Sequence, residues 1–489
     1  MPKRRTIYFN DARHYYLFVF EPPMTLEDAQ VPIDEAAGTS VDTFIYGLAR
    51  GDGLFYPSKI GRLFGADMNP FGLSAYWRAY HNMKSLMDRG LDPLTVLIDR
   101  AHEKGMDFIA SLRMTIHEMM DPAHRLGNGG GGLAHQEVRD HQFRILEELM
   151  TEYSIEGVEL DLALPGGETR VLRPEDVEET TPVLTEYVKQ IADMVRSRPG
   201  KRGEIGVRVL PTEEMNLAQG LDVRAWLQNG SVDFVVPILY PYFNLDPNMP
   251  IDWAIEAAHE VDAAVYAVLQ PYVRDEATGS AERIYPTPEH ARAAACNFYS
   301  KGADGLYAWF MRWPLGATER RILTELGHPD LMQDQDKHYH LCKRADFGDD
   351  VAYESPIPLE IASTDIGTRH PIPFYISDDI EGSGGRLQEV LLRIRIQDLV
   401  SADKLSISLN GQSLADEICQ RGFGSQISPY DGQQLEFHLQ DIRPRKGDNL
   451  LEIALDGRAE NLASSLVVQD VQIIVRYSPY PASLKGLSS

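Results

Sequence analysis

The sequence predicts a (β/α)8 TIM barrel followed by an antiparallel, jelly-roll-like β-sandwich, and three observations carry that prediction. Eight short β-rich runs alternate with helical stretches over the first two-thirds of the chain. From about residue 350 the hydrophobic period drops to two. The chain has 489 residues, more than one hydrophobic core accommodates, so two domains are expected.

The eight runs, in order, are 6–10, 41–47, 107–113, 157–163, 205–210, 232–239, 263–269 and 303–309. They are rich in Val, Ile, Phe and Tyr and mostly lack polar alternation, as strands covered on both faces do. Between them, 135–153, 182–197 and 288–302 place apolar residues at helical spacing, and the last ends on a Gly stop. Strand–helix alternation of this length is the signature of a closed parallel barrel. After 350, segments such as EVLLRIRIQDL, KLSISLNGQSL and NLLEIALDG alternate residue by residue and are separated by turn signals. The expected organisation is a catalytic barrel over 1–335, a linker over 336–355 and an accessory sandwich over 356–489.

Charge and composition exclude some partners. The chain carries 47 Lys and Arg against 73 Asp and Glu, a formal net charge of −26. Nucleic acid and anionic membrane both need a positive surface, so neither is expected. No run approaches the roughly 20 apolar residues of a membrane span. The basic start, MPKRRTIYFNDARHYY, is followed by no apolar h-region, so a cytoplasmic location is expected. The three cysteines are widely spaced and imply no disulfide framework. Self-association into a homo-oligomer is left open.

GVELDLAL, residues 157–164, poses the functional question. Side chains two apart on a strand face the same way. Leu160 and Leu162 therefore face the helix layer, and Glu159 and Asp161 face the lumen. Asp161 lies nearer the C-terminal rim, where barrel active sites are built. Two like charges inside a barrel need partners, and the neighbouring strands offer Arg113 and Arg208. Such partners are expected to hold the acids ionised, since an opposite charge within about 4–6 Å lowers a carboxylate pKa. The bland reading is a buried ion network. The functional reading is a carboxylate pair for acid–base or nucleophilic work.

The other strand ends favour the second reading. They supply Asn10 and Asp11, His117 and Glu118, Glu213, Tyr240 and Tyr242, Gln270 and Tyr272, and Trp309 and Trp313. Aromatic faces stack on sugars, while carboxylates, amides and Arg bind hydroxyls. An oligo- or polysaccharide is the substrate such a rim suits. His117 and Glu118 lack HExxH spacing, there is no Walker A, GxGxxG or GxSxG pattern, and His124 and His135 read as solvated residues flanking the Gly-rich 127–132. No metal and no cofactor are expected.

The segments AGTSVDTFIYG, FIASLRM, HQEVRDHQFRILEELMTEYSIEGVELDL, GVRVLPTEEMNLAQGLDVRAWLQNGSVDFVVP and GADGLYAW together resemble the family-10-like glycosyl hydrolases of bacteria. They span roughly residues 5–335. That resemblance implies a TIM barrel, glycosidic chemistry and, for the C-terminal part, an accessory domain.

Glycoside hydrolysis usually needs two carboxyl groups. Strand 7 ends on Gln270, where many barrel glycosidases carry a nucleophilic Glu. Two arrangements remain. In one, Asp161 is nucleophile or base and Glu213 the acid. In the other, Glu159 and Asp161 act together from strand 4. The alternatives from other classes are a carbohydrate-binding protein without catalysis and a metal-dependent sugar isomerase or epimerase.

Overall fold

The structure is a computed structural model that describes residues 3–11, 16–114, 122–126, 130–163, 170–198, 202–239, 244–274, 283–343, 353–383, 386–415, 419–422 and 432–480. Eight strands close a barrel: β1 (Arg5–Asp11), β2 (Thr43–Gly47), β3 (Asp107–Arg113), β4 (Gly157–Asp161), β5 (Glu204–Val209), β6 (Phe234–Pro237), β7 (Ala264–Leu269) and β8 (Gly305–Trp309). Each neighbours the next in chain order, and β8 returns to pair with β1 in parallel. All eight predicted runs are strands, with ends shifted by up to two residues. A small three-stranded sheet, 49–50, 53–54 and 62–63, follows β2 and escaped prediction. Its strands are two residues long, too short to show a period.

The helix expected from Pro182 begins at Val177 and runs to Arg196, with Pro182 inside it. Pro is favoured at the first helical position, which is why the sequence suggests a later start. Here the ring is accommodated in the second turn, close enough to the N-terminus that only one early ladder bond is lost.

Low in the barrel, glycines allow a close approach to the backbone of the neighbouring strand. A Cβ on Gly157 would lie 2.2 Å from the Glu204 carbonyl oxygen, and one on Gly305 would lie 2.1 Å from that of Arg5. Both obstacles are backbone and cannot rotate away. Arg5 is buried there and bridges Glu204 at 2.6 Å and Asp107 at 3.1 Å. Gly157→Ala is therefore expected to push β4 and β5 apart and destabilise the protein by about 1–3 kcal/mol or more, as overpacking does. Urea denaturation checks it, and an unchanged midpoint would show that the strands separate freely.

The C-terminal part is a β-sandwich. One sheet is built from β9 (Lys337–His340), β10 (Leu359–Ile361), β12 (Leu387–Gln397), β15 (Cys419–Gly422), β16 (Gln433–His438) and β18 (Leu466–Tyr477). The other contains β11 (Arg369–Ile376), β13 (Lys404–Leu409), β14 (Gln412–Ser413) and β17 (Gly447–Gly457). Their pairings are antiparallel. Alternate residues, among them Ile394, Ile396, Ile453, Leu455, Val471 and Ile473, fill the shared core. The expected linker thus contains a strand, since β9 pairs with β18 from Lys337 to His340. Period-2 patterning is hard to see in four residues when two are histidines.

The chain divides into two compact units that interleave in sequence. One comprises Met1–Pro241, Pro250–Val268 and Gly302–Gly327, and the other Tyr242–Met249, Leu269–Lys301 and His328–Ser489. Gln270, Tyr272 and the helix Pro288–Lys301 belong to the second. Among the described residues no helix is long and apolar enough to cross a membrane.

Candidate active site

Parallel register sets the lumen out in levels. Ser111, Glu159 and Gly206 lie side by side on β3, β4 and β5, and one level higher Arg113, Asp161 and Arg208 do the same. Alternation on β1 and β8 adds Phe9 with Asp11 and Tyr307 with Trp309. Glu159, Asp161 and Asp11 are at most 1% exposed. Leu160 and Leu162 are buried too, on the opposite face.

Arg208 joins the strand-4 pair. Its guanidinium contacts the Asp161 carboxylate through NH2, and its Nε lies 3.3 Å from Glu159 Oε1. Its own faces are walled by Phe9, 4.4 Å from the ring centroid, and Trp309, 5.5 Å away. Arg113 was expected beside the same pair. It contacts Asp11 instead and acts on Asp161 by its field. Glu159 Oε1 also accepts hydrogen bonds from the Ser111 hydroxyl at 2.7 Å and the Tyr307 hydroxyl at 3.2 Å.

The charge expectation needs correcting. Burial pushes the Glu159 carboxyl above its ordinary range, and the neighbouring Asp161 pushes it further, against Arg208 and the two hydroxyls. Burial also raises Asp161, against Arg208 and Arg113. Desolvation outweighs the guanidinium field because both carboxyls are fully shut off from water. Direct contact with Arg208 favours the anion at Asp161. Glu159 has mainly neutral donors and is the better seat for a retained proton. One oxygen of each acid, Glu159 Oε2 and Asp161 Oδ1, is buried and, among the described residues, takes no hydrogen bond within ordinary geometry. The Ala163 amide lies near enough to favour the Asp161 anion.

The remaining expected residues are scattered. Glu213 opens the short helix Glu213–Leu217, and Arg224 grips its carboxylate at 2.7 and 3.1 Å, which lowers its pKa. That favours the ionised form, the opposite of what a proton donor needs. Asn10 alternates to the helix-facing side of β1, away from Asp11, and both its amide atoms are buried without a partner. Trp309 is 1% exposed and is a wall, not an open platform. Tyr272 packs its ring on Tyr285, 5.2 Å away, and Gln270 is buried, both within the second unit. His117, Glu118, Tyr240 and Tyr242 lie outside the described residues. Ser111, Tyr307 and Phe9 were not anticipated, although each stands two residues before a named candidate on its strand and so shares its face.

Trp313 packs edge-on to Phe20, and its indole lies close enough to Glu35 to favour the carboxylate. Glu35 accepts from the Tyr8 hydroxyl at 3.2 Å. Burial pushes Glu35 up to about 7, against these neighbours and Arg320. Its folded pKa exceeds its unfolded value near 4.5, so the folded state binds the proton more tightly. Its contribution to stability is full below about pH 4.5 and is lost as pH rises to 7. Glu35→Gln should flatten the fall in melting temperature across that window. An identical slope in the variant would assign the fall to other groups.

No protein-family model and no curated protein matches this chain. Its structure is similar to several solved ones. The α-L-fucosidase from Vibrio sp. strain EJY3 shares 12% identity over 96% of both chains, with a TM-score of 0.40. A class V chitinase from Pseudomonas fluorescens Pf-5 shares 13% over 65% of this chain and 98% of that one, with a TM-score of 0.40. A cycloisomaltooligosaccharide glucanotransferase from Paenibacillus sp. shares 9%, with a TM-score of 0.33; this chain spans 57% of its length. Likenesses at this level carry no argument about substrate or residues. Fold and site together define a (β/α)8 barrel with a buried carboxylate–guanidinium cluster at its C-terminal end, followed by a β-sandwich.

Proposed function

We propose that the protein is a glycoside hydrolase whose chemistry centres on Asp161, as the resemblance to the family-10-like glycosyl hydrolases implies. The observation that supports this most is the place of Asp161, level with two arginines at the C-terminal end of β4, the end of the barrel where active sites of this fold are built. Asp161, at the C-terminal end of its strand and against Arg208, is the anion that attacks the sugar or activates water. Glu159, one level deeper, holds a proton and fixes Arg208, so it positions Asp161. The proton for the leaving group comes from another carboxyl, and Glu118 is the sequence candidate. Glu213 is not, given its pairing with Arg224.

A second reading is favoured by the Asp161–Arg208 contact itself: a structural ion layer in a barrel that binds sugar without cleaving it. A panel of aryl glycosides and oligosaccharides separates the two, with wild type assayed beside Asp161→Asn. Turnover by wild type that vanishes in the variant supports hydrolysis. Binding of an oligosaccharide without turnover in either protein would overturn it.

A further inference from the structure

Between β3 and the helix Gln136–Glu152, two histidines that read as solvated meet. The rings of His124 and His135 lie 4.4 Å apart. One donor atom from each, and one from the carboxylate of Glu137, fall within 4.8 Å of one another. Among the described residues this is the one group of three His, Cys, Asp or Glu side chains so arranged.

Three features suggest a use for that arrangement. First, His135 is the N-cap of the helix, yet its side chain makes no capping bond. Its Nε2 instead accepts only a long bond, 3.3 Å, from the Gly131 amide, a weak contact that a metal at that nitrogen would replace. Second, His124 Nδ1 is shut off from solvent and has no hydrogen-bond partner among the described residues. A buried ring nitrogen without a partner is costly unless something supplies one. Third, the chain is glycine beside one of the donors. A Cβ on Gly131 would stand 3.2 Å from His135 Nε2 and 3.4 Å from Asp176 Oδ2, so a larger residue would crowd the space. A carboxylate in the first turn of a helix has a bland explanation, the helix dipole. That explains Glu137 alone and neither histidine.

We infer that His124, His135 and Glu137 form a binding site for a divalent transition metal, zinc by the chemistry of the donors. Two imidazole nitrogens and one carboxylate oxygen suit Zn2+ and not the hard cations Mg2+ or Ca2+. Three protein ligands leave a fourth position for water or for a substrate oxygen. The metal would tie the loop after β3 to the helix that follows it, on the C-terminal side of the barrel.

The test uses tag-free, full-length protein stripped with a chelator and titrated with Zn2+ by calorimetry. One ion per chain is expected. The double variant His124→Gln, His135→Gln should weaken binding by at least about 100-fold, and Glu137→Gln by about 10-fold, in line with what loss of metal-site partners costs. Circular dichroism confirms that the variants fold. Cobalt substitution of the wild type gives a reading that needs no variant, since a four-coordinate site yields an intense visible absorption. No stoichiometric zinc, an undiminished affinity in the double variant, or a weak six-coordinate cobalt spectrum would each overturn the site.

Discussion

Asp161→Asn is expected to lower turnover by a factor on the order of 10³ or more on whichever glycoside the wild type cleaves. The substitution keeps the side chain's shape and removes its charge. Without the Asp161 anion, Arg208 retains one acid within reach, Glu159, whose Oε1 lies 3.3 Å from its Nε. The like-charge neighbour that helps raise the Glu159 pKa is gone as well. Glu159 is therefore expected to give up its proton and take over the ion pair. The stability loss should then stay below the roughly 3–5 kcal/mol of an outright broken buried pair. Large loss of activity with modest loss of stability is the signature of Asp161 as nucleophile or base. A variant that still turns over and is merely less stable would make the strand-4 pair an ion layer. The chemistry would then lie among Glu118 and the residues at the end of β1.

Arg208→Met is expected to cost about 3–5 kcal/mol at neutral pH, because it leaves two buried acids without their shared cation. Methionine fills most of the space between Phe9 and Trp309, so cavity formation contributes little. The loss should depend on pH, and its sign follows from the shifts. Both acids already have raised folded pKa values. Removing Arg208 takes away the main term that opposes burial in each. Their folded pKa values rise further above the unfolded ones, so the variant loses more stability as pH increases. Chemical denaturation at pH 5 and pH 8 should show a wider gap from wild type at pH 8. A small, pH-independent gap would mean that the acids reach water and that Arg208 is not their chief counter-ion.

The barrel was legible in the sequence because its signal is local. Strands covered on both faces read as short apolar runs, and each of the eight was visible as such. The face of Glu159 and Asp161 was also legible, since a period of two is a property of one strand. The approach of Arg208 followed from the same parity on the next strand.

What the sequence could not settle were choices among partners at equal distance along the pattern. Arg113 and Arg208 were equivalent candidates, and a competing acid on another strand decided between them. Arg208 stands level with Asp161 on β5, while Arg113, level with it on β3, is captured by Asp11 of β1 across the lumen. Glu213 looked like a free strand-end acid until Arg224, eleven residues on, closed over it. The direction of the acid pKa shifts is a tertiary result as well. Composition supplies the charges, but only packing determines how completely water is excluded, and here that exclusion outweighs the guanidinium field. His124 and His135 show the same limit. Eleven positions apart in sequence, their rings meet at the start of a helix, a contact that no local pattern encodes.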